Sequence, residues 1–200
     1  MPITPEQAWQ VYRNSDPLYT AEEIEAAFDR MAQAITRDLA GKNPLILCIM
    51  NGGLLPSARL LTRLQFPLRL DYIHATRYRG ETSGGELHWL RHPSEPLQQR
   101  SVLLIDDILD EGFTLQESVR FCQREGAAEV RSAVLAHKRH TRGCGFVADY
   151  IGLEVEDRYV FGYGMDYHGY LRNADGIFAV KGGVRCETRG SRCETRDARF

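Results

Sequence analysis

Two hundred residues carry a net charge of −2, with 43% hydrophobic and 26% charged side chains, enough apolar content for one full core and no basic field for nucleic acid. No apolar run approaches the roughly 20 residues needed to span a bilayer, and Met1-Pro2-Ile3-Thr4-Pro5-Glu6 lacks the basic and apolar regions of a signal peptide. Five scattered cysteines without a Cys-x-x-Cys pair argue for reduced thiols rather than structural zinc, so a cytoplasmic protein binding neither nucleic acid nor membrane is expected.

The first forty residues read as helical. Thr20-Ala21-Glu22-Glu23 forms a capping box, and Ile24, Phe28, Met31, Ile35 and Leu39 mark one apolar face before a stop at Gly41. Pro44 to Met50 reads as a buried strand, broken by Asn51-Gly52-Gly53, and a short helix is expected over Leu54 to Leu64. Leu68 to His74 is a further strand. Arg77 to Glu86 carries three glycines and little to bury, which predicts a mobile loop, with Leu87 to Leu90 as the returning strand. Val102–Ile105 is the next strand, followed by a helix from about Thr114 to Arg124 with Gly126 as its stop. Val130 to His137 is another, ending at Lys138, and short strands fall near Phe146–Ile151, Tyr159–Phe161 and Ile177–Val180.

This alternation predicts an α/β fold with a mostly parallel sheet flanked by helices on both faces. Ligands of such sheets gather at the carboxyl ends of the strands. The acidic run after Ile105, Lys138 and the Asn51 turn all fall there. The last residues, 182–200, repeat Arg-Cys-Glu-Thr-Arg at Arg185–Arg189 and Arg192–Arg196. With almost no apolar side chains they have no core to join, and a disordered tail is expected.

The most telling stretch is Val102-Leu103-Leu104-Ile105-Asp106-Asp107-Ile108-Leu109-Asp110-Glu111-Gly112-Phe113-Thr114-Leu115. A buried strand runs into three carboxylates and a Gly-Phe-Thr turn that opens a helix. Such a turn aims backbone N–H groups at an anion, while carboxylates accept sugar hydroxyls or hold Mg²⁺ through water. Asp106-Asp107-x-x-Asp110 alone also matches the aspartate-rich motif of prenyl synthases, but that motif belongs inside a long helix. Here it follows β-type residues.

These residues resemble the phosphoribosyl-pyrophosphate (PRPP) signature of the purine phosphoribosyltransferases, in particular the hypoxanthine–guanine branch. The resemblance spans about residues 10–180. It implies the type I phosphoribosyltransferase fold in one domain, 1–181, whose N-terminal helices and C-terminal segment build a small hood, with a flexible lid loop. It implies transfer of the 5-phosphoribosyl group from PRPP to a 6-oxopurine, giving IMP or GMP and pyrophosphate, in a Mg²⁺-dependent homodimer or homotetramer.

The implied roles fall on particular residues. The PRPP ribose and 5′-phosphate would be held by Asp106, Asp107, Asp110, Glu111, Gly112, Phe113 and Thr114, with hydroxyls on Asp106 and Asp107 and the phosphate wrapped by the loop. Asp110 would take the base's proton. Asn51, Gly52 and Arg172 would face pyrophosphate, the first two from a turn whose family counterpart often has a cis peptide at Met50–Asn51.

Arg158-Tyr159-Val160-Phe161-Gly162-Tyr163-Gly164-Met165-Asp166-Tyr167-His168-Gly169-Tyr170-Leu171-Arg172 resembles the family's base-binding and metal segment. Tyr159 would stack on the purine, the Val160 backbone would bond its Watson–Crick edge, and Asp166 would bind Mg²⁺. Lys138, first of the basic run Lys138-Arg139-His140, would donate to the exocyclic oxygen. An ammonium has only donors, so it favours a 6-oxopurine over adenine. Arg77 and Tyr78 fall in the implied lid.

Asn51, Arg77, Glu111 and Phe113 depart from the family's usual residues. Glu111 would repel a phosphate, so its side chain is expected to point outward. Two other readings compete: a PRPP-sensing regulator with the same fold, which would need a basic face, and a xanthine-preferring transferase.

Overall fold

The computed structural model describes residues 3–77 and 87–182. The expected lid residue Tyr78 and the tail from 183 onward lie outside them, as do the Arg-Cys-Glu-Thr-Arg repeats.

Helix α1 (Pro5–Asn14) starts at a capping box in which the Thr4 hydroxyl accepts from Gln7 N–H and the Gln7 side chain accepts from Thr4 N–H, with Pro5 at the first position. The same device, Thr20 with Glu23, opens α2 (Ala21–Leu39). Its predicted face is buried in full: Ile24, Phe28, Met31, Ile35 and Leu39. Between the two helices the chain forms a short strand, β1 (Asp16–Tyr19), which corrects the expectation of continuous helix.

The remaining elements are β2 (Leu45–Met50), α3 (Leu54–Leu61), β3 (Arg69–Arg77), β4 (Leu87–Arg91), β5 (Ser101–Leu109), α4 (Phe113–Arg124), β6 (Glu129–Lys138), β7 (Tyr150–Val155), β8 (Val160–Phe161) and β9 (Ile177–Ala179). Helix α3 stops short of Leu64 and β7 begins at Tyr150 rather than Phe146. The larger correction concerns β5. It does not end at Ile105 but runs on to Leu109, so Asp106 and Asp107 stand within the strand.

Six strands form one sheet in the order β4-β3-β2-β5-β6-β7. All neighbours are parallel except the edge pair β3–β4. Alternate residues of the central strands feed separate cores. Ile46, Leu103 and Ile105 pack with α2 and α3, while Leu45, Leu47, Val102 and Leu104 pack with Leu115, Phe121 and Cys122 of α4. A strand buried on both faces reads as an unbroken apolar run for this reason.

A second, three-stranded antiparallel sheet, β1-β9-β8, joins the two ends of the described chain. Phe161 stacks on Phe178 at 5.6 Å, and Tyr12 of α1 meets Phe178 edge-on at 5.1 Å. The small sheet thus carries the aromatic-glycine segment on a packed base.

Candidate active site

The acidic run leaves the sheet in three steps. Asp107 N–H donates to Asp106 Oδ1 at 2.9 Å and Ile108 N–H to Asp107 Oδ1 at 2.7 Å. The two carboxylates fold back on the strand, whose pairing with β6 runs on to Leu109. Burial, and the charge of its neighbour, push Asp106 well above the usual carboxylate range. Burial also raises Asp107, though Arg172 offsets part of it. Two such groups side by side call for hydroxyl or cationic partners.

The chain then turns. Gly112 takes the left-handed φ of +83° and caps α4, with no side-chain cap bond at that helix end. The helix ladder starts at Gln116 N–H to Gly112 C=O, 2.9 Å, so it does not use the amides of Thr114 and Leu115, which stand at the positive end of the helix dipole. A Cβ on Gly112 would sit 3.1 Å from Cys144 Sγ and Phe146 Cβ. The loop is braced from behind, where Cys144 N–H donates to Glu111 C=O at 3.0 Å. Glu111 is half-buried and Phe113 exposed.

Asp110 is the meeting point of two elements. The parallel register sets Leu109 opposite His137, which places the next pair, Asp110 and Lys138, beside one another. Lys138 Nζ donates to Asp110 Oδ2 at 2.6 Å, and His140 Nε2 lies 2.6 Å from Oδ1. Lys138 is only 5% exposed, so it is not a member of a solvated basic face. Burial pushes the Asp110 carboxyl up, but the Lys138 ammonium and then His140 outweigh it and hold it below the ordinary value. Sequence reasoning missed His140, whose only signal was its place two residues beyond the strand end.

The third group joins the turn after β2 to the aromatic-glycine segment. The Met50–Asn51 peptide is cis. Gly53 N–H is used by Ile49 C=O at 2.8 Å, so a nest of successive amides through Gly53 does not form; the turn can present only Asn51 and Gly52. A Cβ on Gly52 would lie 2.1 Å from Asp107 Oδ2, and one on Gly164 would lie 2.4 Å from Gly52 C=O. Three segments distant in sequence therefore touch where only glycine fits.

Arg172 ties them together. Its Nη1 donates to Gly164 C=O at 2.5 Å and stands 3.8 Å from Asp107 Oδ2, while Nη2 donates to Asp166 Oδ1 at 2.8 Å. Asp166 Oδ2 accepts from Gly169 N–H at 2.6 Å. Tyr159 stands in an aromatic group, edge-on to Tyr167 at 5.2 Å and parallel to His168 at 6.1 Å. Val180 N–H donates to Tyr159 C=O, and Val160 pairs with Ala179. The alternation of an antiparallel ladder then turns the Val160 N–H and C=O away from β9, toward the open edge of the small sheet. Arg77 closes β3, paired with Leu87.

A carboxylate pair, an amide-lined turn at a helix end, a lysine-capped aspartate and a hood carrying aromatics together describe a site for a phosphorylated sugar and a flat base. Residues 14–168 match the phosphoribosyl transferase domain family, and the chain belongs to that family. It is 32% identical over 168 residues to a hypoxanthine-guanine-xanthine phosphoribosyltransferase of Tritrichomonas foetus, covering 84% of this chain and 92% of that one. It is 30% identical over 165 residues to a hypoxanthine-guanine phosphoribosyltransferase of Streptococcus thermophilus, covering 82% and 92%. A solved Trypanosoma cruzi hypoxanthine phosphoribosyltransferase, complexed with the product IMP, superposes with a TM-score of 0.80 at 26% identity, over 86% of this chain and 93% of that one. The mostly parallel sheet and the small hood are thus those of the type I phosphoribosyltransferase fold.

Proposed function

We propose that this protein transfers the 5-phosphoribosyl group of PRPP to hypoxanthine or guanine, releasing pyrophosphate and forming IMP or GMP for purine salvage. The Asp110–Lys138 pair carries this reading. It sets a proton acceptor and a donor-only ammonium 2.6 Å apart at the ends of two adjacent strands, the pair of functions that the imidazole and 6-oxo edges of one purine require.

In the reaction the bond from C1′ to the pyrophosphate oxygen breaks and a bond from C1′ to a purine nitrogen forms. Asp110 takes the proton that the imidazole ring gives up, and its charge stabilises the sugar cation that develops. Asp106 and Asp107 accept the ribose hydroxyls. The amides of Gly112 and Thr114 and the Thr114 hydroxyl hold the 5′-phosphate, with Glu111 and Phe113 shaping the loop. Asn51, Gly52 and Arg172 face the pyrophosphate. Tyr159 stacks on the base, worth about 1–3 kcal/mol per base in comparable stacking sites, and the Val160 backbone bonds its edge.

Mg²⁺ is held by one or two carboxylates together with substrate oxygens and water. Asp166 suits that demand, because it is a carboxylate held in place by Arg172 and Gly169 beside the residues that face pyrophosphate. The remaining ligands would come from PRPP and water. The ion would neutralise charge on the leaving pyrophosphate.

The reading includes a homodimer or homotetramer, supported by the exposed side chains of Leu70 and Tyr72 on one face of β3, and a cytoplasmic setting, supported by the buried thiols of Cys48 and Cys122. No helix among the described residues is long and apolar enough to cross a membrane.

The test is a panel of hypoxanthine, guanine, xanthine and adenine with PRPP and Mg²⁺, with products identified chromatographically. IMP and GMP are expected; a panel with no nucleotide product overturns the proposal, and xanthosine monophosphate as the main product moves it to the xanthine-preferring reading.

A further inference from the structure

Resting on the reading of Asp110 as the proton acceptor, we propose that His140 is a positioning residue that fixes the Asp110 carboxylate while Lys138 turns to the base. The hydrogen bonds around its ring define what it can do. Arg142 N–H donates to His140 Nδ1 at 3.1 Å, so Nδ1 presents a lone pair, the ring proton resides on Nε2, and it points at Asp110 Oδ1 2.6 Å away. The side chain is 6% exposed, which leaves little water to replace that donor.

The two donors on Asp110 differ in mobility. Lys138 reaches Oδ2 through a flexible four-carbon stem bearing three donors. His140 sits on a fastened turn: Arg139 N–H donates to Val155 C=O at 2.9 Å, Arg139 and Arg142 pair with Glu154 and Asp157, and Cys144 N–H returns to Glu111 C=O. When the Lys138 ammonium swings to an exocyclic oxygen, Oδ2 is freed for the imidazole proton, and His140 keeps Oδ1 and the carboxyl plane in place. The groups facing Asp110 are therefore Lys138 from β6 and His140 from the turn; Arg139 and Arg142 are engaged elsewhere, and Asp106 and Asp107 stand on the strand before it.

Two variants of similar volume separate positioning from packing. His140→Gln keeps an N–H donor at the same reach, and His140→Met fills the space without one. Both are assayed with hypoxanthine at saturating PRPP across pH, beside Asp110→Asn. His140→Met is expected to lower kcat roughly 10- to 100-fold, the range set by one hydrogen bond to a charged group, with the KM for PRPP within about threefold of wild type. Its acid limb of kcat/KM should move to higher pH, because the ionised carboxylate has lost a donor. His140→Gln should recover most of kcat and the wild-type limb. A Gln variant that does not fold or is as slow as Met, or a Met variant as fast as wild type with an unmoved limb, overturns the proposal. Undiminished kcat in Asp110→Asn ends the reading of Asp110 and this one with it; a loss there with none in His140→Met ends only this one.

Discussion

Lys138 and Asp110 lie 28 residues apart yet share a 2.6 Å ion pair, because Leu109 faces His137 in the β5–β6 ladder and the next residues on both strands reach the same point. On the proposed reading the ammonium has two claims on it, the Asp110 carboxylate and the 6-oxo group of a bound purine. Lys138→Ala is expected to lower kcat/KM for hypoxanthine and guanine about 100-fold or more, since a buried polar group would go unpaired. Any residual rate with adenine should fall far less. Equal losses for all three bases would show that Lys138 does not read the exocyclic atom.

The two ends of the acidic run titrate in opposite senses. Asp110 is held low against burial by Lys138 and His140, so its contribution to stability is present above the unfolded carboxylate range and is lost as pH falls through its folded value. Asp106 is pushed up by burial and by Asp107. There the folded state binds the proton more tightly, and stability falls as pH rises from the unfolded range to the folded value. Asp106→Asn should therefore raise stability near pH 7 by roughly 0.5–2 kcal/mol, about 1–8 °C in Tm, while weakening PRPP binding. Calorimetry at pH 7 and pH 4 checks this, because the gain should shrink at the lower pH.

Gly143 is a remote handle on the Glu111–Gly112 turn, proposed above to hold the 5′-phosphate. It has φ +101°, and a Cβ there would lie 2.2 Å from Glu111 C=O. Gly143→Ala must move either its own turn or the loop, and it also strains the bond from Cys144 N–H to Glu111. A loss of about 1–3 kcal/mol in stability is expected from overpacking of this kind. The KM for PRPP should rise several-fold while the KM for purine changes little; a rise confined to the purine would contradict the bracing role.

Local patterns showed the second helix and the acidic loop because their signals lie within a few residues: the box at Thr20, the face from Ile24 to Leu39, Gly112 before Phe113. What escaped was set by distant partners. Asp16-Pro17-Leu18-Tyr19 has no strand alternation and is extended only because Ile177–Ala179 pairs with it. The acids after Ile105 read as the end of a strand since charge marks the end of burial. Yet the ladder to β6 continues through Asp106 to Leu109, and each carboxylate accepts from the backbone N–H of the residue that follows it. His140 looked like one member of a basic run, and its contact with Asp110 follows from strand register, which a single segment does not encode. Arg172 and Asp166 fell in register with the resemblance, but their link to Asp107 depends on how the hood sits over β5.

Arg172 offers the sharpest test of that link. A guanidinium can serve Gly164 C=O and Asp166 while standing 3.8 Å from Asp107; an ammonium has the charge but not the planar fork. Arg172→Lys should therefore keep net charge and still fail to hold both carboxylates. Asp107, raised by burial and partly offset by Arg172, would rise further. kcat/KM for PRPP is expected to fall roughly 10- to 100-fold, the range for lost charge-assisted hydrogen bonds, and the Mg²⁺ concentration for half-maximal rate should increase as Asp166 loses its orientation. A titration with Mg²⁺ at fixed PRPP separates the two readings of this residue. An unchanged half-maximal concentration alongside a raised KM for PRPP would mean that Arg172 acts on pyrophosphate alone, and a shift in both would mean that it also positions Asp166.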